Sequence, residues 1–209
     1  FDFLQGRRGQ DGANRLIKQA VWAARKGSES GKAVDTLSKL TDEQFRTLDE
    51  DAAWQLSTAV QSLGELATAK PEVFGRSIVT SNFDPLIEVA IRRAGGHAWR
   101  TSLHVDGTLG LSRAQGCQVV HIHGYWWGSD TLHTGNQLIQ NRPQLKTSLL
   151  DMLTGKTIVV MAYGGWDDIL TQTLEGLVSN PGAFPEVIWS FYNQSPILSD
   201  HLKRILGPG

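Results

Sequence analysis

Short runs of β-branched residues alternate with helical patterns through most of this chain, and this alternation constrains its fold more than any other feature. The β-branched runs lie at residues 77–81, 118–122, 157–161 and 186–191. Strands that alternate with helices form parallel sheets with helices packed on both faces. We therefore predict an α/β, Rossmann-like three-layer fold with a mainly parallel sheet.

Helical patterns dominate the part of the chain before the first of these runs. Apolar residues recur at helical spacing over 11–25. Thr41 followed by Gln44 is typical of a capping box, in which the side chain of each residue accepts the backbone N–H of the other. An apolar stripe follows, and we expect this second helix to continue through Leu66.

The domain organisation follows from these two patterns. We expect a mainly helical part over 1–70 and a Rossmann-like core over 71–209, together forming one domain. The sequence has no initiator methionine. We therefore expect it to be part of a longer chain.

Composition excludes several classes of function. The chain has 20 Lys and Arg residues against 21 Asp and Glu residues, so we expect no nucleic-acid partner for this domain. A single cysteine, Cys117, cannot form an internal disulfide or a multi-cysteine zinc site, which favours the cytoplasm. No apolar run approaches the roughly 18–20 residues that a membrane span needs.

Unusual polar residues and glycines follow three of the predicted strands. Asn82 follows the first strand, His123 and Gly124 follow the second, and Gly164 and Gly165 follow the third. In open parallel sheets, ligands bind beyond the carboxyl ends of the strands. We therefore expect these residues to meet at one crevice.

Each of these residue types suits nucleotide chemistry. The amide of Asn82 can both donate to and accept from ribose hydroxyls. His123 can accept a proton near neutral pH. A Gly-Gly turn that opens a helix, as we predict at Gly164, lets backbone N–H groups approach a phosphate. Trp126 and Trp127 can stack on a nicotinamide or adenine ring.

Structural explanations stay open for several of these residues. Asp84 lies before a proline, a pattern typical of a helix cap. His121 and His123 point to the same side of a strand, so they can be hydrogen-bonded strand-end residues or part of a metal site. No third metal ligand lies at a usual spacing. Trp126 and Trp127 can equally cover the edge of a core.

Taken in order, three segments resemble the motifs of the sirtuin family. Residues 80–84, Thr-Ser-Asn-Phe-Asp, are similar to the family's asparagine motif, and residues 120–124 are similar to its histidine-glycine motif. Residues 162–167 resemble, in altered form, its glycine-tyrosine-serine turn. The resemblance covers roughly residues 75–192.

The resemblance implies a Rossmann-like NAD site. Asn82 and His123 would be catalytic, with His123 as the general base and Asn82 positioning the ribose or the nucleophile. The residues that the resemblance implies for NAD binding are Thr80, Ser81, Asp84, Gly124, Tyr163, Gly164, Gly165 and Asp167. Two features depart from the family pattern. The phosphate loop Gly-Ala-Gly-x-Ser is not found, and Ala162 and Gly164 stand where the third motif usually has glycine and serine.

The zinc module of protein-deacylating sirtuins has no counterpart in this sequence. That module carries four cysteines after the histidine-glycine motif, whereas no cysteine lies between Gly124 and Lys156. The zinc-free pattern resembles sirtuin-like domains of bacterial anti-phage defence proteins, which degrade NAD. The resemblance therefore implies an NAD glycohydrolase without zinc, working as a homo-oligomer or beside an attached sensor or oligomerisation domain.

Other functions stay open at this point. One is a non-catalytic module that binds NAD or ADP-ribose and regulates an attached domain. Another is a zinc-independent, NAD-dependent deacylase or ADP-ribosyl transferase. A third is a scaffold that keeps the fold for assembly alone.

Overall fold

The computed structural model describes residues 2–27, 36–50, 52–74, 76–110 and 115–207. The chain divides into two compact units. The first comprises Phe1–His104 and Ser112–Thr134, and the second comprises Val105–Leu111 and Gly135–Gly209.

Helices form the start of the first unit. They are α1 (Asp2–Ala23, kinked at Gly9), α2 (Asp42–Asp49), α3 (Thr58–Ala69) and the short α4 (Pro71–Phe74). The capping box is confirmed: Gln44 N–H donates to Thr41 Oγ1 at 3.3 Å, and Thr41 N–H donates to Gln44 Oε1 at 2.8 Å.

The prediction of one helix from Thr41 through Leu66 was wrong, because α2 ends at Asp49 and α3 begins at Thr58. The indole N–H of Trp54 donates to the Leu48 carbonyl at 2.7 Å, so a side chain takes the place of the next helical amide. Ser57 then caps the new helix, since its side chain accepts from Val60 N–H.

A three-stranded parallel sheet forms the centre of the first unit. Its strands are β1 (Ser77–Thr80), β2 (Ala98–Ser102) and β3 (Cys117–His121), in the order β1-β3-β2. Thr80 and Ser102 both pair with His121, so the three strands end level with one another. All residues of β3 are buried, as expected for the middle strand of a covered parallel sheet.

Helix α5 (Leu86–Arg93) connects β1 to β2 and packs closely on α3. A Cβ added to Gly64 of α3 would lie 2.5 Å from the backbone of Ala90, so glycine permits this close approach. Val119 and Ile91 join one buried apolar cluster, and each buried side chain contributes about 1.5–3 kcal/mol to the stability of the fold.

Cys117 lies in the same cluster. Burial, with a smaller effect of the Glu88 charge, raises the pKa of its thiol to about 11.

The second unit also combines helices with parallel strands. It contains α6 (Gly135–Leu138), α7 (Pro143–Leu153), β4 (Thr157–Val160), α8 (Ile169–Val178), a 3₁₀ turn (Pro181–Ala183), β5 (Glu186–Trp189) and α9 (Asp200–Leu206). Strands β4 and β5 pair in parallel, with Val160 opposite Trp189. Ile158 and Val160 face a core that includes Leu174 and Leu202.

The predicted α/β, Rossmann-like class with parallel strands is confirmed. All four predicted strands are present within two residues of their expected ends, and β2 was not predicted. The strands form one sheet of three and one of two, where a single sheet was expected. The single-domain organisation stays a prediction. Within the described ranges, no helix combines the length and the apolar character that crossing a membrane requires.

Candidate functional site

The loop after β1 presents Asn82. Thr80, the last residue of the strand, is buried, and its hydroxyl accepts the Asn82 N–H at 3.1 Å. Ser81 is half-buried and Asn82 is exposed. In the described part of the chain, the side-chain amide of Asn82 has no hydrogen-bond partner. That amide is therefore available to a ligand.

The loop after β3 carries His123 and Gly124. His123 is buried, and its carbonyl accepts the Leu132 N–H at 2.8 Å. Gly124 has a φ of +92°, and an added Cβ would lie 1.9 Å from the carbonyl oxygen of Asp130. Only glycine fits this backbone, so Gly124 has a structural role whether or not it contacts NAD.

These two loops lie side by side. Ile122 N–H donates to the Thr80 carbonyl at 3.1 Å, and Trp126 N–H donates to the Phe83 carbonyl at 2.9 Å. The parallel register of β1 and β3 brings both loops to the same edge of the sheet. The two motifs are thus neighbours at this edge, while the meeting of Asn82 and His123 at one crevice and their catalytic roles stay predictions.

A buried histidine–glutamate pair, which the sequence did not predict, lies under this edge. His121 and Glu88 are 0% and 1% exposed. His121 Nδ1 lies 2.7 Å from the Asn82 carbonyl oxygen, and His121 Nε2 lies 2.9 Å from Glu88 Oε1. Of the two interpretations left open for His121, hydrogen bonding at the strand end is therefore the one observed.

The chemistry of these partners determines where the protons lie. A carbonyl oxygen can only accept, so Nδ1 of His121 carries a proton and donates it to Asn82. The Nε2 to Oε1 contact then needs one further proton, held either as imidazolium and carboxylate or as imidazole and carboxylic acid. Both forms leave the pair neutral overall, which avoids an unpaired buried charge.

Asp84 binds the first helical amide of α5 but is not its N-cap, so the cap expected at Asp84 lies one residue further along the chain. Its Oδ1 accepts the Leu86 N–H at 3.1 Å, and the helix begins at Leu86 with Pro85 as its N-cap. Burial raises the pKa of Asp84, and the Leu86 N–H and the charge of His121 oppose that rise. Contact of Asp84 with NAD stays a prediction.

Trp126 and Trp127 belong to a buried cluster, which was the second of the interpretations left open for them. Their indole N–H groups donate to the two carboxylate oxygens of Asp49, each at 2.9 Å. Phe45 stacks on Trp127 with ring centroids 5.5 Å apart. Arg100 Nη1 donates to the same carboxylate at 2.7 Å. The end of α2 is thereby joined to the loop after β3.

The electrostatics of Asp49 reflect this burial. Removal from water raises the pKa of the Asp49 carboxyl, while Arg100 and the two indoles lower it. The Arg100 guanidinium also lies 3.7 Å from the ring centroid of Tyr125. No pattern in the sequence marked Asp49 as a buried acceptor for two tryptophans.

In the second unit, the prediction that Gly164 and Gly165 open a helix was wrong. Helix α8 begins at Ile169, and Asp168 is its N-cap. Asp168 Oδ1 accepts the N–H groups of Leu170 and Thr171 at 2.9 and 3.1 Å. A carboxylate from the protein itself therefore occupies the helix N-terminus that was expected to receive a phosphate.

The glycine turn makes mainly local contacts. Tyr163 Oη donates to Asp168 Oδ2 at 2.5 Å, and burial, followed by the charge of Asp168, raises the pKa of Tyr163. Gly165 has a φ of +66° and packs against Leu202. Asp167 is exposed. Roles of Tyr163, Gly164, Gly165 and Asp167 in NAD binding stay predictions, as does their convergence with the first unit.

Comparison with known proteins assigns the family. A family profile described as SIR2-like domain matches residues 76–206, a range that contains all three motifs. The chain belongs to the SIR2-like domain family. Among curated proteins, no significant match was found. Membership of the SIR2-like family indicates NAD-related activity.

In residues 2–27, 36–50, 52–74, 76–110 and 115–207, no three His, Cys, Asp or Glu side chains cluster as metal ligands would. The expectation of a zinc-free site stays a prediction.

Proposed function

We propose that this SIR2-like domain hydrolyses NAD at the nicotinamide–ribose bond and releases nicotinamide and ADP-ribose. The observation that carries the proposal is the pairing of the loops after β1 and β3, which places an exposed asparagine beside a histidine-bearing segment. SIR2-like membership supplies NAD as the substrate class.

The reaction needs few groups from the protein. As the bond from C1′ of the ribose to nicotinamide breaks, its electron pair returns to the nicotinamide nitrogen and an oxocarbenium-like state develops. Water attacks C1′, and His123 takes the proton that this water loses. The Asn82 amide holds the ribose face or the attacking water in place.

We further propose a cellular location and an assembly for this domain. The absence of cysteine between Gly124 and Lys156 supports a zinc-free domain of the type found in bacterial anti-phage defence proteins. We place it in the cytoplasm, as a homo-oligomer or beside an attached sensor domain. Light scattering of the purified full-length protein, with and without NAD, measures the oligomeric state.

One observation favours a second candidate, a non-catalytic module that binds NAD or ADP-ribose. The first amides of α8 already donate to Asp168, so this helix terminus offers no free site for a pyrophosphate. A module of this kind would show nucleotide-dependent shifts in melting temperature without turnover.

The test is release of nicotinamide from NAD by the full-length protein, followed by chromatography. We expect Asn82→Ala and His123→Ala to lower kcat/KM by about a hundredfold or more, the range for loss of a positioned proton-transfer group. Matched controls are Asn193→Ala and His97→Ala, which change exposed residues of the same types. The controls should keep the wild-type rate.

Three outcomes separate the candidates. Nicotinamide release without an acylated peptide supports hydrolysis, and release only with such a peptide supports the deacylase. Binding without release supports the non-catalytic module. Wild-type rates in both Asn82→Ala and His123→Ala would overturn the proposed mechanism.

A further inference from the structure

The backbone of Asn82 is held on both of its sides. Its N–H donates to Thr80 Oγ1 at 3.1 Å, and its carbonyl accepts from His121 Nδ1 at 2.7 Å. These two bonds fix the peptide planes before and after the Asn82 Cα. The direction in which the side chain leaves the backbone is thereby fixed as well, although the residue itself is exposed.

The ring that makes the second bond is itself immobilised by three neighbours. His121 ends β3, where its backbone pairs with Thr80 of β1. Glu88 of α5 holds its other nitrogen at 2.9 Å. The ring of Tyr125 meets it edge-on, with centroids 4.8 Å apart. Rotation of the imidazole would break both of its hydrogen bonds inside a site with no water access.

Glu88 binds the second ring nitrogen, so both nitrogens of His121 are engaged. Its carboxyl oxygen Oε1 shares a proton with Nε2, while the Asn82 carbonyl requires one on Nδ1. In the described part of the chain, Glu88 Oε2 has no hydrogen-bond partner, and the carboxyl is 1% exposed. A buried polar group without a second bond costs stability rather than adding to it.

We propose that His121 is a positioning residue for Asn82, and that Glu88 in turn positions His121, in the NAD cleavage proposed above. The inference rests on that proposed function. The pair contacts no reacting atom. It holds the Asn82 amide in the orientation that the ribose or the attacking water requires, and small displacements of such groups lower rates strongly.

Two isosteric substitutions separate the two bonds of His121. In His121→Gln, the amide nitrogen lies near the place of Nε2, so it keeps the Glu88 contact and loses the Asn82 contact. In His121→Asn, the amide nitrogen lies near the place of Nδ1 and keeps the Asn82 contact. Glu88→Gln is combined with His121→Asn so that no unpaired carboxylate is buried.

The expected results follow from the Asn82 contact alone. His121→Gln should lower kcat by about tenfold with little change in KM, because the loss concerns orientation in the transition state. The double variant of His121→Asn with Glu88→Gln should lose less. An equal or larger loss in the double variant would overturn the proposal.

A double-mutant cycle with Asn82→Ala tests whether His121 acts through Asn82. In the Asn82→Ala background, His121→Gln should cause no further loss of kcat. If the two fold-losses of kcat multiply in the double variant, the two residues act independently and the inference is wrong. If His121→Gln does not fold, Glu88→Gln replaces it in the same cycle, with an expected loss of about threefold that also disappears in the Asn82→Ala background.

Val119→Ala controls for loss of stability. Val119 is fully buried in β3, two residues before His121, and its apolar side chain cannot form a hydrogen bond with Asn82. It should lower the melting temperature and leave kcat unchanged. If Val119→Ala and His121→Gln lower kcat alike, the role is structural and the proposal is wrong.

The cycle also distinguishes this inference from the proposed function. Absence of nicotinamide release by the wild type refutes the function and the inference with it, whereas a wild-type rate in Asn82→Ala alone refutes the inference. A large loss in Asn82→Ala, together with an independent loss in His121→Gln, refutes the inference alone.

Discussion

The two loop regions that carry the family motifs are held in different ways. At the end of β3, His121 binds Asn82 and Glu88, which lie 39 and 33 residues away in the chain. In the glycine turn, Tyr163 binds Asp168, only five residues away, and Asp168 caps its own helix. Hydrogen bonds between different secondary-structure elements hold the first region. The hydrogen-bonding groups of the second region find their partners mainly within the same segment.

The two kinds of contact predict where a substitution should have effects far from its own position. Changes in the first region remove contacts between β1, β3 and the helices α2 and α5, so they should alter the stability of the whole unit. Changes in the glycine turn should affect mainly α8 and its surroundings. Substitutions in the two regions test that contrast.

Gly124→Ala and Gly165→Ala compare one glycine from each region. At Gly124, the new Cβ would lie 1.9 Å from a backbone oxygen, whereas at Gly165 it would meet the flexible Leu202 side chain at 2.6 Å. Both positions have positive φ. We expect losses in the free energy of unfolding of about 4 and about 2 kcal/mol. Urea unfolding measures both, and equal losses would contradict the contrast.

Asp49→Asn tests the link between α2 and the loop after β3. An amide has one acceptor oxygen, so one of the indoles of Trp126 and Trp127 would face a donor, and Arg100 would lose its counter-charge. We expect the free energy of unfolding to fall by about 3 kcal/mol. In urea titrations, the exposed Asp167→Asn serves as control and should change stability by less than about 0.5 kcal/mol.

Ala162→Gly should stabilise the glycine turn. Ala162 has a φ of +53°, which a Cβ disfavours. Relief of that strain exceeds the entropy that glycine adds to the unfolded chain, so we expect a gain of about 0.5 kcal/mol. Thermal unfolding measures it. Ala94→Gly, at an ordinary φ of −77°, should instead destabilise, and a gain there would contradict this explanation.

Asp84→Asn and Asp200→Asn should give opposite pH trends. Burial raises the folded-state pKa of Asp84, so the folded protein keeps a proton that the unfolded chain releases above about pH 4. Wild-type stability then falls as pH rises through that window, and Asp84→Asn gains relative to it. Lys203 lowers the pKa of Asp200, so Asp200→Asn should lose relative to wild type as pH rises. Urea unfolding between about pH 4 and 7 measures both trends.

Regular elements of the fold were predictable because their signals are local. The β-branched runs identified four strands, and the capping pattern at Thr41 identified the start of α2. Strand β2, Ala98–Ser102, ends in three consecutive polar residues and was missed. The end of α2 was missed because its cause is Trp54, which binds the Leu48 carbonyl and carries no helix-breaking signal.

For the site, the sequence identified the loops but not the groups beneath them. Asn82 and His123 follow strands, and strand order explains why their loops meet. The pairing of His121 with Glu88 depends on how α5 packs over the sheet, which local patterns do not encode. One signal was present, since Glu88 is a charged residue within the apolar face of α5. Asp49 offered no such signal.

The isolated thiol of Cys117 has a practical consequence. It is 3% exposed with a pKa of about 11, and it is the chain's one cysteine, so alkylating reagents should reach it only when the sheet opens. The rate at which Cys117 is alkylated would therefore measure how often the first unit opens. A cysteine engineered at an exposed position such as Asn193 would react first, so fluorophores can be attached there without removing the native residue.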